Sequence, residues 1–92
     1  MGFVSRAPTL AAMARQTQVG ARQRFLALLR QMRTDGGLRQ ADLARKLRQP
    51  QSFVSKYESG ERRIDVLELR EICRALGVSL TEFVRRLENE SD

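Results

Sequence analysis

Residues 51–58 form a short amphipathic segment whose polar side chains lie on one side. Val54 and Tyr57 occupy its apolar side, as expected for a helix that packs against a core. The outward residues are Gln51, Ser52, Ser55 and Lys56. Amide, hydroxyl and ammonium groups recognise a partner by hydrogen bonds and charge. The residue types alone fit either such a binding face or a solvated helix surface.

A second short amphipathic segment precedes this one. Residues 40–47 carry Leu43, Ala44 and Leu47 on one face, and residues 48–50, Arg-Gln-Pro, separate the two segments. Proline suits the start of a helix, because the N–H that it lacks would be unpaired there. Two helices of about two turns each bury little alone. Other elements must therefore hold them at an angle, and the pair is interpreted as a helix-turn-helix.

The remaining composition argues against catalysis and metal binding. The 92 residues include no histidine and one cysteine, Cys73. An internal disulfide, an ordinary zinc site and a histidine-dependent triad are therefore excluded. We expect a protein that is not an enzyme and has no metal or cofactor. No apolar run approaches the ~20 residues of a membrane-spanning helix, so the expected location is the cytoplasm, with no membrane partner.

The charge is distributed unevenly along the chain. The net charge is +6. Residues 1–63 contain 13 basic and 4 acidic residues, whereas residues 64–92 contain 4 basic and 7 acidic residues. This asymmetry is typical of a protein with one side that faces a polyanion, although a charge that serves solubility gives a similar composition.

Three further helices are predicted from apolar side chains that recur at intervals of three and four residues. The first spans 21–34 and ends at Gly36-Gly37; the fourth spans about 66–76 and ends at Gly77; the fifth starts near residue 80. Their apolar stripes are Phe25, Leu28, Leu29 and Met32; Leu69, Ile72, Cys73 and Leu76; and Leu80, Phe83, Val84 and Leu87. Asp65 with Glu68, and Ser79 with Glu82, have the form of capping boxes. The sequence predicts a compact all-α domain of five helices.

The two ends of the chain are treated separately. Residues 1–20 are predicted to form a flexible basic arm, with a short helix starting near Pro8 as the alternative. Residues 21–88 form the domain, and residues 89–92 an acidic tail.

Several motifs resemble the phage repressor and Cro-like regulators of the XRE family. They are Arg33 with Gly37-Leu38, QADLA at 40–44, VSKYESG at 54–60 and ALGVS at 75–79. The resemblance extends from Phe25 to about Phe83, about two-thirds of the chain, and needs no gap. The resemblance implies a lambda-repressor-like DNA-binding domain whose second helix-turn-helix segment enters the major groove of double-stranded DNA.

The resemblance also implies roles for individual residues. The base-reading positions are Gln51, Ser52 and Lys56, and the phosphate-contacting positions are Gln40, Arg39, Ser55, Arg62 and Arg63. Arg33 and Glu58 match an ion pair of the family. Three residues depart from the family pattern: Arg39 replaces a hydroxyl cap, Arg48 replaces the glycine of the turn, and Pro50 replaces the cap of the recognition helix.

The expected function is a sequence-specific transcriptional regulator, chiefly a repressor that binds a near-palindromic operator as a homodimer. Phe83, Val84 and Leu87 are candidate dimer contacts, unless the core uses them fully. Two alternatives stay open. One is an antitoxin, with residues 1–20 available for a toxin or other protein partner, and the other is a controller protein of a restriction–modification operon.

Overall fold

The computed structural model describes the backbone of residues 10–90 and the side chains of residues 20–89. Over this range the chain forms five helices and no strand. The helices are α1 (Leu10–Asp35), α2 (Gln40–Leu47), α3 (Gln51–Glu58), α4 (Val66–Leu76) and α5 (Leu80–Glu90). The five-helix, all-α prediction is confirmed. None of the helices in residues 10–90 is long and apolar enough to cross a membrane.

The first helix is longer than the sequence predicted. It starts at Leu10 and not at Ala21, so residues 10–20 of the predicted flexible arm belong to α1. Few apolar residues share one face of this stretch, which favoured the arm over the helical alternative in the prediction. Alanine, leucine, methionine, arginine and glutamine, which fill residues 10–16, have high intrinsic helix propensity and extend a helix that is packed further along. Residues 1–9 of the predicted arm lie outside the described residues, as do residues 91 and 92 of the predicted acidic tail.

One hydrophobic core joins all five helices. The largest fully buried side chains are Tyr57, Phe83, Leu29, Leu43, Ile72, Val54 and Cys73. Phe25 of α1 meets Phe83 of α5 edge to face, with the ring centroids 5.8 Å apart. The helices α2 and α3 each bury two residues in this core. Helix α1 packs against α3 and α4 packs against α2, and α5 in turn packs against α1 and α4.

Local capping fixes the ends of the later helices. The carboxylate of Asp65 accepts from the Glu68 N–H at 2.8 Å, and Glu68 accepts from the Asp65 N–H at 3.0 Å, which confirms the predicted capping box. Ser79 Oγ caps α5 by accepting from the Glu82 N–H at 3.0 Å. Gly77 has φ of 81° at the end of α4, a left-handed conformation that glycine adopts without steric cost.

Arg48 occupies the left-handed conformation that ends α2. Its φ and ψ are 58° and 43°, and it is the single non-glycine residue with positive φ in the described part of the chain. The next residue, Gln49, donates its N–H to the Ala44 carbonyl at 2.9 Å, which is the closure of a Schellman motif. Arg48 therefore adopts the left-handed conformation that favours glycine, at a steric cost of about 1 kcal/mol.

We expect Arg48→Gly to raise the free energy of unfolding by about 0.5–1 kcal/mol, because glycine removes the clash between Cβ and the backbone. Urea denaturation followed by circular dichroism measures the difference. The matched control is Arg45→Gly inside α2, which should lower the same quantity by about 1 kcal/mol. Equal destabilisation by both changes would contradict a strained turn.

Candidate nucleic-acid interface

The exposed face of α3 contains the three predicted base-reading residues. Val54 and Tyr57 are fully buried, and this orientation leaves Gln51, Ser52 and Lys56 exposed on the same helix. Pro50 precedes the helix in an extended conformation, and its carbonyl accepts from the Phe53 N–H at 2.9 Å. Helix α3 therefore begins directly after Pro50, and Gln51 and Ser52 lie in its first turn.

A buried ion pair fixes the far end of α3 to α1. Arg33 donates through Nε to Glu58 Oε2 at 2.7 Å and through Nη2 to Oε1 at 2.9 Å. The side chains are only 8% and 4% exposed. The hydrogen bonds to Glu58 raise the pKa of Arg33. A bidentate pair of this kind restrains both position and orientation, so α3 is held at a set angle to α1.

Two further hydrogen bonds extend this pair to the start of α2. Arg33 Nη1 donates to the Leu38 carbonyl at 2.8 Å, and Gln40 Nε2 donates to Glu58 Oε1 at 3.0 Å. Gln40, a predicted phosphate contact, is therefore oriented from within the protein. Because an amide nitrogen carries two hydrogens, the bond to Glu58 leaves Gln40 a second N–H for another acceptor.

Arg39 does not act as a side-chain cap for α2, since a guanidinium group has no acceptor. Instead, Asp42 accepts from the Arg39 backbone N–H at 2.8 Å, from Nε at 3.0 Å and from Nη2 at 2.9 Å. These bonds hold the pKa of Asp42 well below its usual range. Asp42 thus supplies one half of a capping box, whereas the half that a hydroxyl cap would supply is missing, because the Arg39 side chain makes no cap hydrogen bond. The Arg39 side chain remains 78% exposed at the N-terminus of α2.

The other predicted phosphate contacts differ in their surroundings. Ser55 is half-buried on α3, and Arg63 is exposed in the loop before α4. Arg62, in contrast, forms an ion pair with Glu68 of α4 at 2.9 Å and lies over the ring of Phe53, with Cζ 4.7 Å from the centroid. The same loop is tied to α1 by Arg22, whose Nη2 donates to the Gly60 carbonyl at 2.9 Å. The contacts of Arg22 with Gly60, of Asp42 with Arg39 and of Glu68 with Arg62 were not predicted from the sequence.

The three candidate dimer contacts on α5 have unequal exposure. Phe83 is fully buried, so the core uses it completely, which is the alternative that the prediction left open for these residues. Leu87 is half-buried against the core, whereas Val84 is 43% exposed. Val66 and Leu67 at the start of α4 are two further exposed apolar residues, each 60% exposed.

Comparison with known proteins places this geometry in a family. A helix-turn-helix family model matches residues 29–83, more than half of the chain. A solved XRE-family-like protein from Pseudomonas syringae pv. tomato str. DC3000 is 36% identical over 87% of this chain and 98% of its own, with a TM-score of 0.80. The chain belongs to the XRE family.

Two other solved structures are similar at lower identity. The clp gene regulator ClgR from Corynebacterium glutamicum is 26% identical over 78% of this chain and 92% of its own, with a TM-score of 0.67. A variant of the restriction-modification controller protein C.Esp1396I is 27% identical over 76% of this chain and 89% of its own, with a TM-score of 0.70. A comparison with curated sequences finds no significant match. The XRE-family chain is a DNA-binding transcriptional regulator.

The buried ion pair yields a prediction about stability. Glu58→Gln removes one partner and leaves Arg33 buried without its counter-charge, so the free energy of unfolding should fall by about 3 kcal/mol. Urea denaturation at neutral pH measures this. Glu61→Gln, which neutralises an exposed carboxylate three residues away, is the matched control and should change the value by less than about 0.5 kcal/mol.

A double variant provides the second arm of this test. Arg33→Met combined with Glu58→Met replaces both charges by apolar groups of similar length. It should be less destabilised than Glu58→Gln alone, because no uncompensated charge remains in the core. Equal stability of Glu58→Gln and the wild-type chain would show that the pair does not hold α3.

Proposed function

We propose that this XRE-family chain is a repressor that reads a near-palindromic operator in double-stranded DNA as a homodimer. The observation that supports this proposal is the contrast between the buried and the exposed side of α3. Its inner face is buried, and its C-terminal end is bonded to α1 through Glu58. In contrast, Gln51, Ser52 and Lys56 are all exposed. A rigidly held helix with a polar free face fits insertion into the major groove.

The chemistry of the exposed residues suits base edges in that groove. Glutamine pairs with adenine through its N6 and N7 atoms, and lysine donates to O6 and N7 of guanine. Serine accepts or donates and discriminates less. Gln51 and Ser52 follow Pro50 directly, and Lys56 lies on the same face one helical turn further on. The three side chains therefore span a few successive base pairs.

The proposed phosphate contacts surround this helix. The second amide hydrogen of Gln40, oriented by Glu58, is directed to a phosphate with the free N–H groups at the start of α2. The exposed Arg39 and Arg63, and the half-buried Ser55, supply further contacts. Contacts of this kind fix the register of the domain on the duplex without reading sequence.

Dimerisation follows from the small size of the reading face. Three side chains discriminate poorly against the many competing sites of a genome, and a second recognition helix about one helical turn away multiplies the selectivity. On α5, Val84 is the most exposed of the apolar residues considered for this contact. Repression then follows if the operator overlaps a promoter, because the bound dimer blocks access by polymerase.

Similarity to the controller protein C.Esp1396I supports a second candidate. In that case the chain regulates a restriction–modification operon, and the DNA-binding chemistry stays the same. The two candidates differ in the genes under control and not in the reading face. Mapping the bound sites on the genome of the source organism distinguishes them.

Selection from a pool of random double-stranded DNA tests the proposed function. The full chain should enrich one motif with two inverted half-sites whose centres lie about 10 base pairs apart. Sedimentation of the chain on the selected duplex should show two copies per duplex. A pool that stays unchanged after selection would overturn the proposal, and a single copy on a motif without symmetry would overturn the dimer.

Substitutions on α3 test base reading directly. Gln51→Ala and Lys56→Ala should each weaken binding to the selected duplex by about 1–3 kcal/mol per half-site and relax the preference at one position of each half-site. Fluorescence anisotropy on single-base-pair variants of the duplex measures both effects. Gln23→Ala and Lys46→Ala, which remove the same side-chain types from exposed positions of α1 and α2, should leave the base preference unchanged. Uniform weakening on every sequence would contradict base reading by α3.

A further inference from the structure

Arg62 lies at a junction between α3, the following loop and α4. Its Nη1 donates to Glu68 Oε1 at 3.2 Å and to the Arg63 carbonyl at 3.0 Å, and its Nη2 donates to Glu68 Oε2 at 2.9 Å. Three of the five guanidinium N–H groups are thus used inside the protein. We call Arg62, Glu68 and Phe53 the Arg62 cluster.

The aromatic member of the cluster belongs to the recognition helix. The guanidinium carbon of Arg62 lies 4.7 Å from the centroid of Phe53, a distance at which a cation attracts the face of the ring. Phe53 in turn meets buried Tyr57 edge to face, with the centroids 5.5 Å apart. Phe53 directly follows Gln51 and Ser52 in the chain. The cluster therefore holds the half of α3 that the Arg33–Glu58 pair does not reach.

Glu68 is itself held in place from two directions. Its Oε1 accepts from the Asp65 N–H at 3.0 Å as part of the α4 capping box, and its own N–H donates to Asp65. The Arg62 backbone N–H donates to the Lys56 carbonyl at the end of α3, at 3.1 Å. Both partners of the ion pair are thus anchored by main-chain bonds, so the pair joins the start of α4 to α3.

We propose that Arg62 is a positioning residue for the base-reading end of α3 and not a phosphate ligand. Glu68 neutralises its charge and directs its guanidinium onto Phe53, which sets the placement of Gln51 and Ser52. In the complex with DNA, Arg62 keeps its bonds to Glu68, and the neighbouring Arg63 supplies the phosphate contact. This role rests on the proposed function, since it concerns the residues that read the operator.

Four single variants of the full chain test this role. Arg62→Gln is matched by Arg63→Gln in the adjacent position. Glu68→Gln is matched by Glu71→Gln, which neutralises an exposed carboxylate on the same helix. Two readouts are recorded for each: the proton NMR resonances of the Phe53 ring in the free chain, and the affinity for the selected and a scrambled duplex across a range of salt concentrations.

We expect Arg62→Gln and Glu68→Gln to shift the Phe53 resonances and to reduce selectivity for the chosen duplex about three- to tenfold, the combined scale of an exposed cation–π contact and an ion pair. Arg62→Gln should leave the slope of log affinity against log salt as in the wild-type chain. Arg63→Gln should reduce that slope by about 1 and leave the Phe53 resonances in place. Glu71→Gln should change neither selectivity nor the Phe53 resonances.

Two results would overturn the proposal. The first is a slope of log affinity against log salt that falls by about 1 in Arg62→Gln, together with tighter DNA binding by Glu68→Gln than by Glu71→Gln. This result would identify Arg62 as a phosphate ligand that Glu68 restrains. Phe53 resonances unchanged in both Arg62→Gln and Glu68→Gln would show that the cluster does not hold α3. If the wild-type chain selects no duplex, the proposed function fails, and the spectra of the free chain still decide whether the cluster positions the helix.

Discussion

The placement of α3 depends first on one buried ion pair. Arg33 and Glu58 are almost fully removed from solvent, and their bidentate contact joins the end of α1 to the end of the recognition helix. Burying two charges is costly unless they are paired and hydrogen-bonded, and here the Leu38 carbonyl and the Gln40 amide each add one hydrogen bond to the pair. The pair joins α1 to α3, and the bond from Gln40 joins α2 to both, so a shift of any of the three helices would disturb at least one of these contacts.

This restraint limits the orientations in which α3 can present its exposed face. A polar helix surface that can tilt offers many geometries to DNA, whereas one that is fixed at its C-terminal end by Glu58 and packed through Val54 and Tyr57 offers few. Pre-ordering of this kind lowers the entropy lost on binding. The carboxylate of Glu58 that holds α3 also orients the amide of Gln40, so in the proposed complex the same group serves base reading and phosphate contact.

Much of the fold was predictable from local patterns. The bounds of α2, α3 and α4 match the prediction, because Pro50, Gly60 and Gly77 interrupt clear helical periodicity. The start of α1 was missed, because helix propensity continues through residues 10–20 after the apolar stripe has faded. Phe83 was a candidate for both the core and a dimer surface, because a stripe of apolar residues on one helix face fits either role. Only the packing of α1 against α5 distinguishes the two.

The site was predictable at the level of residue types and less so at the level of contacts. The positions of Gln51, Ser52 and Lys56 followed from the family resemblance, and the structure exposes them on one face. The partners of Arg39 and Arg62 were not predicted. Asp42 accepts from the backbone N–H and the guanidinium of Arg39, and Glu68 pairs with Arg62 across a loop. The pairing of Arg62 with Glu68 depends on how α3 and α4 are arranged, which short-range sequence patterns do not reveal.

The most direct test of base reading by α3 determines whether one of its side chains contacts a particular atom in the major groove. Each purine of the selected duplex is replaced in turn by its 7-deaza analogue, which lacks the N7 acceptor, and binding is compared for the wild-type chain, Gln51→Ala and Lys56→Ala. We predict that one or more substitutions per half-site weaken binding of the wild-type chain, and that this loss disappears in the variant that lacks the contacting side chain. Equal affinity of the wild-type chain for the natural and all 7-deaza duplexes would contradict major-groove reading by α3.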